Sequence, residues 1–374
     1  DNKMYTDFFI PKSKINGAEN GMMVLVEFED WPEKADSPFG VVKEVLGVPG
    51  EHETEIHAIL AQYGLPYEFP KEVENFADGI DTSIQESEIK KRRDMRKTLT
   101  FTIDPKDAKD FDDALSFEVL KNGNYEIGIH IADVSHYVPV GSALDEEASL
   151  RGNSVYFPER VVPMFPEVLS NGLCSLKPEV DRLAMVCDMQ IGRSGELQDY
   201  CFYEAVIHSH ARLTYTDVGE VIEQGWSPHV PAERGEELSR LHRLYAVLRG
   251  ARVRRGALDF DTQETRILFD EQRKIQAIEP VHRNDAHKLI EECMLIANVA
   301  TAQFLDGLEQ PALFRVHEGP SAEKLENLRA FLGELSLDLP GGLKPTPEHY
   351  QSLLGAVEGR EDAHIVQTML LRSL

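Results

Sequence analysis

The chain has 374 residues, 42% hydrophobic and 28% charged, with 39 basic against 65 acidic side chains and a formal net charge of −26. This balance excludes a wholly disordered chain, leaves room for more than one core, and includes no apolar run of the ~18 residues that a membrane-spanning helix needs. A field of that sign repels nucleic acid and anionic membrane, so a polyanionic ligand requires local basic groups or bound cations.

Residues 1–62 read as short strands and turns. Asn16-Gly17 and Asn20-Gly21 punctuate them, and the apolar runs 22–28 and 40–46 suggest part of a cold-shock/OB-type β-barrel. Residues 51–63 predict a helix with Ile56, Ile59 and Leu60 on its apolar face. Residues 63–97 read as a helical linker. Within it, 83–97 predicts a polar helix ending in Lys90, Lys91, Arg92, Arg93, Arg96 and Lys97. Those cations fit either a solvated helix end or a contact to phosphates.

From Thr98 to Leu374 the pattern is that of a large mixed domain, and the fold class is α+β. Alternating residues on both sides of Asn122-Gly123 predict a hairpin over 115–131. Strands are expected at 183–190 and 199–208, and a further hairpin at 265–270 and 273–279. Helices are expected at 234–250, 285–307, 321–336, 346–357 and 362–373, the second carrying Leu289, Ile290, Cys293, Met294, Ala297, Ala300 and Phe304 on one stripe. Cys174, Cys187, Cys201 and Cys293 form no C-x-x-C pair, which argues against a zinc knuckle. With no apolar leader after Asp1-Asn2-Lys3, four scattered thiols fit a reducing cytoplasm. The chain lacks an initiator Met and closes on an apolar helical pattern without a cap, so both ends are expected to fall inside larger domains.

The segment 103–114 carries Asp104, Asp107, Asp110, Asp112 and Asp113 just ahead of an alternating strand. Such density is self-repulsive, and Asp is a poor former of helix and strand interiors. A fold keeps the cluster if water solvates it or cations neutralise it. Carboxylates mounted beside a core strand suit Mg²⁺, which is held by one or two of them plus substrate phosphate, and such ions promote phosphodiester hydrolysis. An EF-hand fails, because Gly is missing at the sixth position of the loop and Glu at the twelfth. On spacing alone an acidic surface loop and a Mg²⁺ site both stand.

The motifs around this cluster extend the reading. They are 102–114, His130 to Tyr137 (HIADVSHY), Ser154 to Pro158 (SVYFP), Pro163 to Pro166 with Leu169 to Leu176 (PMFP and LSNGLCSL), and Arg283 to Glu292 (RNDAHKLIEE). In this order they resemble the ribonuclease II/R (RNB) exoribonucleases, over residues 98–374, with wording nearest to the bacterial ribonuclease R branch. The resemblance implies a processive 3′→5′ exoribonuclease that hydrolyses single-stranded RNA to nucleoside 5′-monophosphates with Mg²⁺, or alternatively Mn²⁺. It implies a monomer acting on RNA rather than DNA, in the cytoplasm and off the membrane.

Residue by residue, Asp104, Asp110, Asp112 and Asp113 match the family's catalytic, metal-binding aspartates, and Asp107 is a solvated neighbour. Tyr156 matches an aromatic that stacks on RNA near its 3′ end, and Phe260 resembles a second that clamps the terminal base. Tyr215 matches a position that contacts the nucleotide and selects RNA, with Glu291 or Glu292 as its partner. His287 reads as a satisfied helix histidine, and Arg249, Arg252, Arg254 and Arg255 as either a phosphate track or an exposed helix end. The family's C-terminal Ser-Pro-Ile-Arg-Arg-type motif and basic OB-type domain have no counterpart here. The 374 residues are therefore expected to fold yet to be catalytically impaired, and a non-catalytic RNA-binding module is the alternative function. A structural Ca²⁺ protein is a weaker third.

Overall fold

The computed structural model describes residues 6–158, 160–260 and 264–374. In chain order the strands are β1 (Met23–Asp30), β2 (Phe39–Gly47), β3 (Arg93–Asp94), β4 (Thr100–Asp104), β5 (Asp113–Val119), β6 (Tyr125–Ala132), β7 (Val155–Phe157), β8 (Arg160–Val162), β9 (Asp181–Ile191), β10 (Leu197–Thr214), β11 (Thr265–Phe269) and β12 (Ile275–Pro280). The helices are α1 (His52–Tyr63), α2 (Lys71–Asp78), α3 (Glu86–Ile89), α4 (Val134–Tyr137), α5 (Ala143–Arg151), α6 (Tyr215–Gln224), α7 (Ala232–Arg254), α8 (Asp285–Gly307), α9 (Ala322–Glu334), α10 (Pro347–Val357) and α11 (Ala363–Ser373). They divide into two compact units that the chain crosses between repeatedly.

The first unit gathers the residues up to Gly79, Pro139–Pro166 and Thr265–Glu279. Strands β1 and β2 pair antiparallel, with register shifts after Met23, Leu25 and Phe28. Gly40 permits this pairing, since a Cβ there would stand 2.6 Å from Val26 Cγ1. Helix α1 ends at Gly64 in the left-handed region (φ 65°). It buries Ile56 and Leu60 against Val162. Ile59, expected on that face, is exposed, because the buried stripe follows the i, i+4 pair 56 and 60. Arg151 of α5 donates to the Pro66 and Glu68 carbonyls at 2.9 and 2.6 Å and lies 3.8 Å over the Phe69 ring. Strands β7 and β8 form a short antiparallel hairpin that pairs Tyr156 with Val161.

The second unit holds Ile80–Val138, Glu167–Glu264 and Pro280–Leu374. Its sheet runs β3-β10-β4-β5-β6-β9, and β9 pairs again with β10. The long β10 pairs antiparallel with β9 over 197–208 and then parallel with β4 from Ser209. The five strands β4, β5, β6, β9 and β10 thus close a circuit of hydrogen bonds. Asn122-Gly123 turns β5 into β6 as the alternation predicts, with Gly123 at φ 83°. Phe101, Ile103, Leu115, Ile127, Ile129 and Met189 from the sheet pack with Val218, Leu241, Leu244, Leu289 and Cys293 from α6, α7 and α8. Helices α9, α10 and α11 bury Leu328, Leu332, Leu353, Val366 and Leu370 in a cluster of their own.

One expected helix is largely absent. Between 83 and 97 only the four residues of α3 are helical, and the chain turns inward. Arg92 is buried and pairs with Asp133 at 2.7 Å and Glu88 at 2.8 Å. Arg96 pairs with Asp94 and Asp181. Arg93 lies 3.5 Å from Asp188, so three of the six cations pair with carboxylates distant in the chain rather than ending a solvated helix.

Candidate active site

Strands β4 and β5 are antiparallel neighbours through Phe101 and Leu115. Asp104 ends the first and Asp113 opens the second, so the turn between them folds the acidic segment over the sheet end. Asp104 is buried, and its Oδ2 has no hydrogen-bond partner. Burial pushes its pKa up to about 6, reinforced by Asp110 and Asp112 and opposed by Thr102 and the Arg212 guanidinium. Asp113 is likewise pushed up to about 6 by burial and by the charges of Asp104 and Asp112. Asp112 is raised by desolvation of its carboxyl and by Asp110. Asp107 is exposed to solvent. Four carboxylates thus share one electrostatic neighbourhood, and each ionised member opposes the others.

Residues distant in sequence hold the loop in place. Ser175 Oγ donates to the Lys109 carbonyl at 2.8 Å and accepts the Phe111 N–H at 3.1 Å. The Leu176 N–H bonds the Phe111 carbonyl at 2.8 Å. Arg182 donates to the carbonyls of Ser175 and Gly172. Arg212 of β10 donates to the Pro105 and Lys106 carbonyls, each at 2.7 Å, and its guanidinium lies 5.4 Å over the Phe111 ring. Ser175, Arg182 and Arg212 were not singled out from sequence. Ser175 does sit in the LSNGLCSL motif and Arg212 beside Tyr215, which was the available signal.

The family histidine motif has an architectural part. His130 is fully buried, its Nε2 is 2.8 Å from Ser116 Oγ, and burial pushes its pKa down to about 4. Asp133 caps α4 and binds Arg92.

Tyr215 belongs to the carboxylate neighbourhood. Thr214, the residue before it, is the register partner of Asp104. Burial, then Asp113 and Asp104, push the phenol up to about 12. Its ring stacks on His287, 4.0 Å between centroids and 16° between planes. Glu291 lies one turn beyond His287 on the same face of α8. It contacts Arg283 and is 3.7 Å from Arg252. Glu292 is buried and pairs with Arg252 at 2.9 Å.

Arg249 and Arg254 are also engaged, by Asp259 and the Ser194 carbonyl. Three of the four arginines read as a possible phosphate track therefore have internal partners. Phe260 is half-buried against the cluster of α9, α10 and α11. Tyr156, in the first unit, is 67% exposed on its hairpin.

Among the described residues no three His, Cys, Asp or Glu side chains make a ready-made cage. Mg²⁺ needs none, since it keeps waters and takes one or two carboxylates with substrate phosphate. The orphaned Oδ2 of Asp104 and the mutually repelling carboxyls fit such an ion.

The same carboxyls set a pH dependence of stability. Asp104 and Asp113 hold protons in the folded chain at a pH where the unfolded chain has released them. Their stabilisation is complete below the unfolded pKa of about 4 and is lost as pH rises through about 6. In EDTA, Asp104→Asn should therefore gain melting temperature relative to wild type as pH climbs from about 4 to 7. A constant difference across that window would contradict the placement of Asp104.

The RNB domain family matches residues 92–374, and a cold shock domain matches residues 1–70. The chain is 47% identical over 380 residues to ribonuclease R of Vibrio cholerae, covering 100% of this chain and 46% of that protein. It is 44% identical to ribonuclease R of Escherichia coli, with the same coverage. The chain thus spans about half the length of the curated relatives it matches. The structure of Mycoplasma genitalium RNase R in complex with ribose methylated single-stranded RNA superposes with a TM-score of 0.93 at 28% identity, covering 99% of this chain and 58% of that one. A match across 92–374, with the aspartate cluster mounted at a strand end inside it, makes this chain a member of the RNB domain family.

Proposed function

We propose that this protein is a processive 3′→5′ exoribonuclease that hydrolyses single-stranded RNA to nucleoside 5′-monophosphates. The observation that carries the reading is the carboxylate cluster at the junction of β4 and β5, with the buried, unpartnered Oδ2 of Asp104. Asp104, Asp110, Asp112 and Asp113 would hold Mg²⁺, or Mn²⁺ in its place. When bound, the ion supplies water activation and neutralises charge developing on the phosphate. Arg212 and Ser175 keep the loop rigid, so the carboxylates need little reorganisation when substrate arrives. Tyr215 contacts the terminal nucleotide and favours ribose. Glu291 is its partner rather than Glu292, because it shares a helix face with His287 while Glu292 is buried against Arg252. Tyr156 and Phe260 stack on bases, which suits a sequence-tolerant enzyme because every base has a π-face.

Free thiols at all four cysteines support a cytoplasmic setting. The test is incubation of the full-length protein with labelled poly(A) in Mg²⁺ and in EDTA. Release of mononucleotides only with the metal supports the enzyme, whereas RNA bound and uncut in both favours the binding-module alternative. Tyr156→Ala should leave longer end products with the aspartate chemistry intact, because one stacked base contributes roughly 1–3 kcal/mol of hold. An unchanged product ladder on a sequencing gel would exclude Tyr156 from the RNA path.

A further inference from the structure

Tyr215 does not hold its own orientation. Its main-chain carbonyl accepts a 2.8 Å hydrogen bond from Asn284 Nδ2, and its ring is covered by His287. The same Asn284 starts α8. Its Oδ1 accepts the N–H groups of Ala286 and His287 at 3.1 and 3.3 Å, and the His287 Nδ1 lies 3.2 Å from the Asn284 N–H. One side chain thereby ties the backbone of Tyr215 and the ring that stacks on it to a single helix end. Gly219 of α6 makes the approach possible, because a Cβ there would collide with the Asn284 amide. A capped helix needs only the hydrogen bonds. It does not need the imidazole laid parallel on a tyrosine whose preceding residue is paired to Asp104.

We propose that His287, fixed by Asn284 over Gly219, is a positioning residue for Tyr215, and that the stacked pair sets how strongly the site prefers a ribose over a deoxyribose end. This rests on the reading of Tyr215 as the sugar-contacting residue. A phenol can discriminate a hydroxyl only if its oxygen is held at one place. A ring free to rotate accepts either sugar, whereas a fixed donor left unpaired by the deoxy sugar rejects it. The stack removes that rotation, and its loss should cost roughly 3- to 10-fold in discrimination.

Two substitutions separate the stack from the cap. His287→Phe keeps a flat ring on Tyr215 and loses the polar cap. His287→Gln keeps a polar group near Asn284 and loses the ring. The measurement is anisotropy in EDTA with 5′-labelled oligo(A) ending in riboadenosine or in 2′-deoxyadenosine, so no turnover is required. The ratio of the two dissociation constants should be close to wild type in His287→Phe and reduced roughly 3- to 10-fold in His287→Gln. Melting temperature should follow the cap instead and fall in His287→Phe. Equal ratios in both variants and wild type would overturn the proposal, as would a ratio that falls only together with melting temperature. Tyr215→Ala keeps the underlying reading testable on its own. If it leaves the ratio unchanged, Tyr215 does not read the sugar. If it lowers the ratio while His287→Gln does not, the positioning role alone is wrong.

Discussion

In the full-length protein, replacing Asp112 by Asn should lower turnover on single-stranded RNA by on the order of 10²–10⁴ while leaving RNA affinity near wild type. The substitution keeps the shape of the side chain and removes one charge. The Asp112 carbonyl, which accepts the Ala132 N–H at 2.9 Å, is untouched, so the loop keeps its path. What changes is the charge that would bind a cation. Asp112 raises the pKa of both Asp104 and Asp113, so it stands within their electrostatic reach. Removing it in EDTA should relieve repulsion, and the variant should melt no lower than wild type. Single-turnover kinetics at saturating RNA, with a binding measurement alongside, separate the two effects. Near-wild-type turnover would falsify the assignment of Asp112 to the reacting centre.

What the sequence made legible was periodic or dense in charge. The stripe of α8 and the β5–β6 hairpin at Asn122-Gly123 follow directly from spacing. The aspartates announce themselves because five carboxylates in ten residues need water or a cation. Three things were hidden, each for a physical reason. Arg92 lies in a run of cations that looks solvated, and only Asp133, far along the chain, turns it inward. Arg212 and Ser175 brace the loop through backbone carbonyls and amides, which carry no side-chain signature in sequence. The proposed preference for Glu291 over Glu292 rests on helix phase relative to His287 and Arg252, which adjacent letters do not display. Helix prediction at 83–97 failed because polar, charged residues favour a helix locally, and the i,i+4 pair of Arg92 with Glu88 fits one, whereas the distant Asp133 draws Arg92 into the fold.

Asp133→Asn should destabilise the second unit by about 3 kcal/mol and Asp133→Ala by more, up to ~5 kcal/mol, with any loss of activity following from unfolding. Arg92 and Asp133 face each other at 2.7 Å with only 2% of each side chain exposed. Burial alone would raise the Asp133 pKa, but the Ser135 hydrogen bond and the Arg92 ion pair outweigh it and hold the carboxyl ionised. Removing one partner strands a guanidinium in a low-dielectric site, with Glu88 left as its only paired carboxylate among the described residues. The Asn variant retains an oxygen for the His136 N–H and Ser135, so it isolates the loss of charge. The Ala variant also uncaps α4. Replacing both members by apolar residues, as in Arg92→Met with Asp133→Leu, should recover much of the loss, because the pair's Coulomb attraction largely offsets its own desolvation. Urea unfolding followed by circular dichroism measures all three. Asp133 is one residue beyond Ala132, whose N–H holds the Asp112 carbonyl. Two carboxylates close together in the fold should thus behave oppositely: Asp112→Asn loses turnover at full stability, and Asp133→Asn loses stability first. If Asp133→Asn melts like wild type and yet turns over slowly, Asp133 belongs to the chemistry and the architectural reading of the His130–Tyr137 motif is wrong.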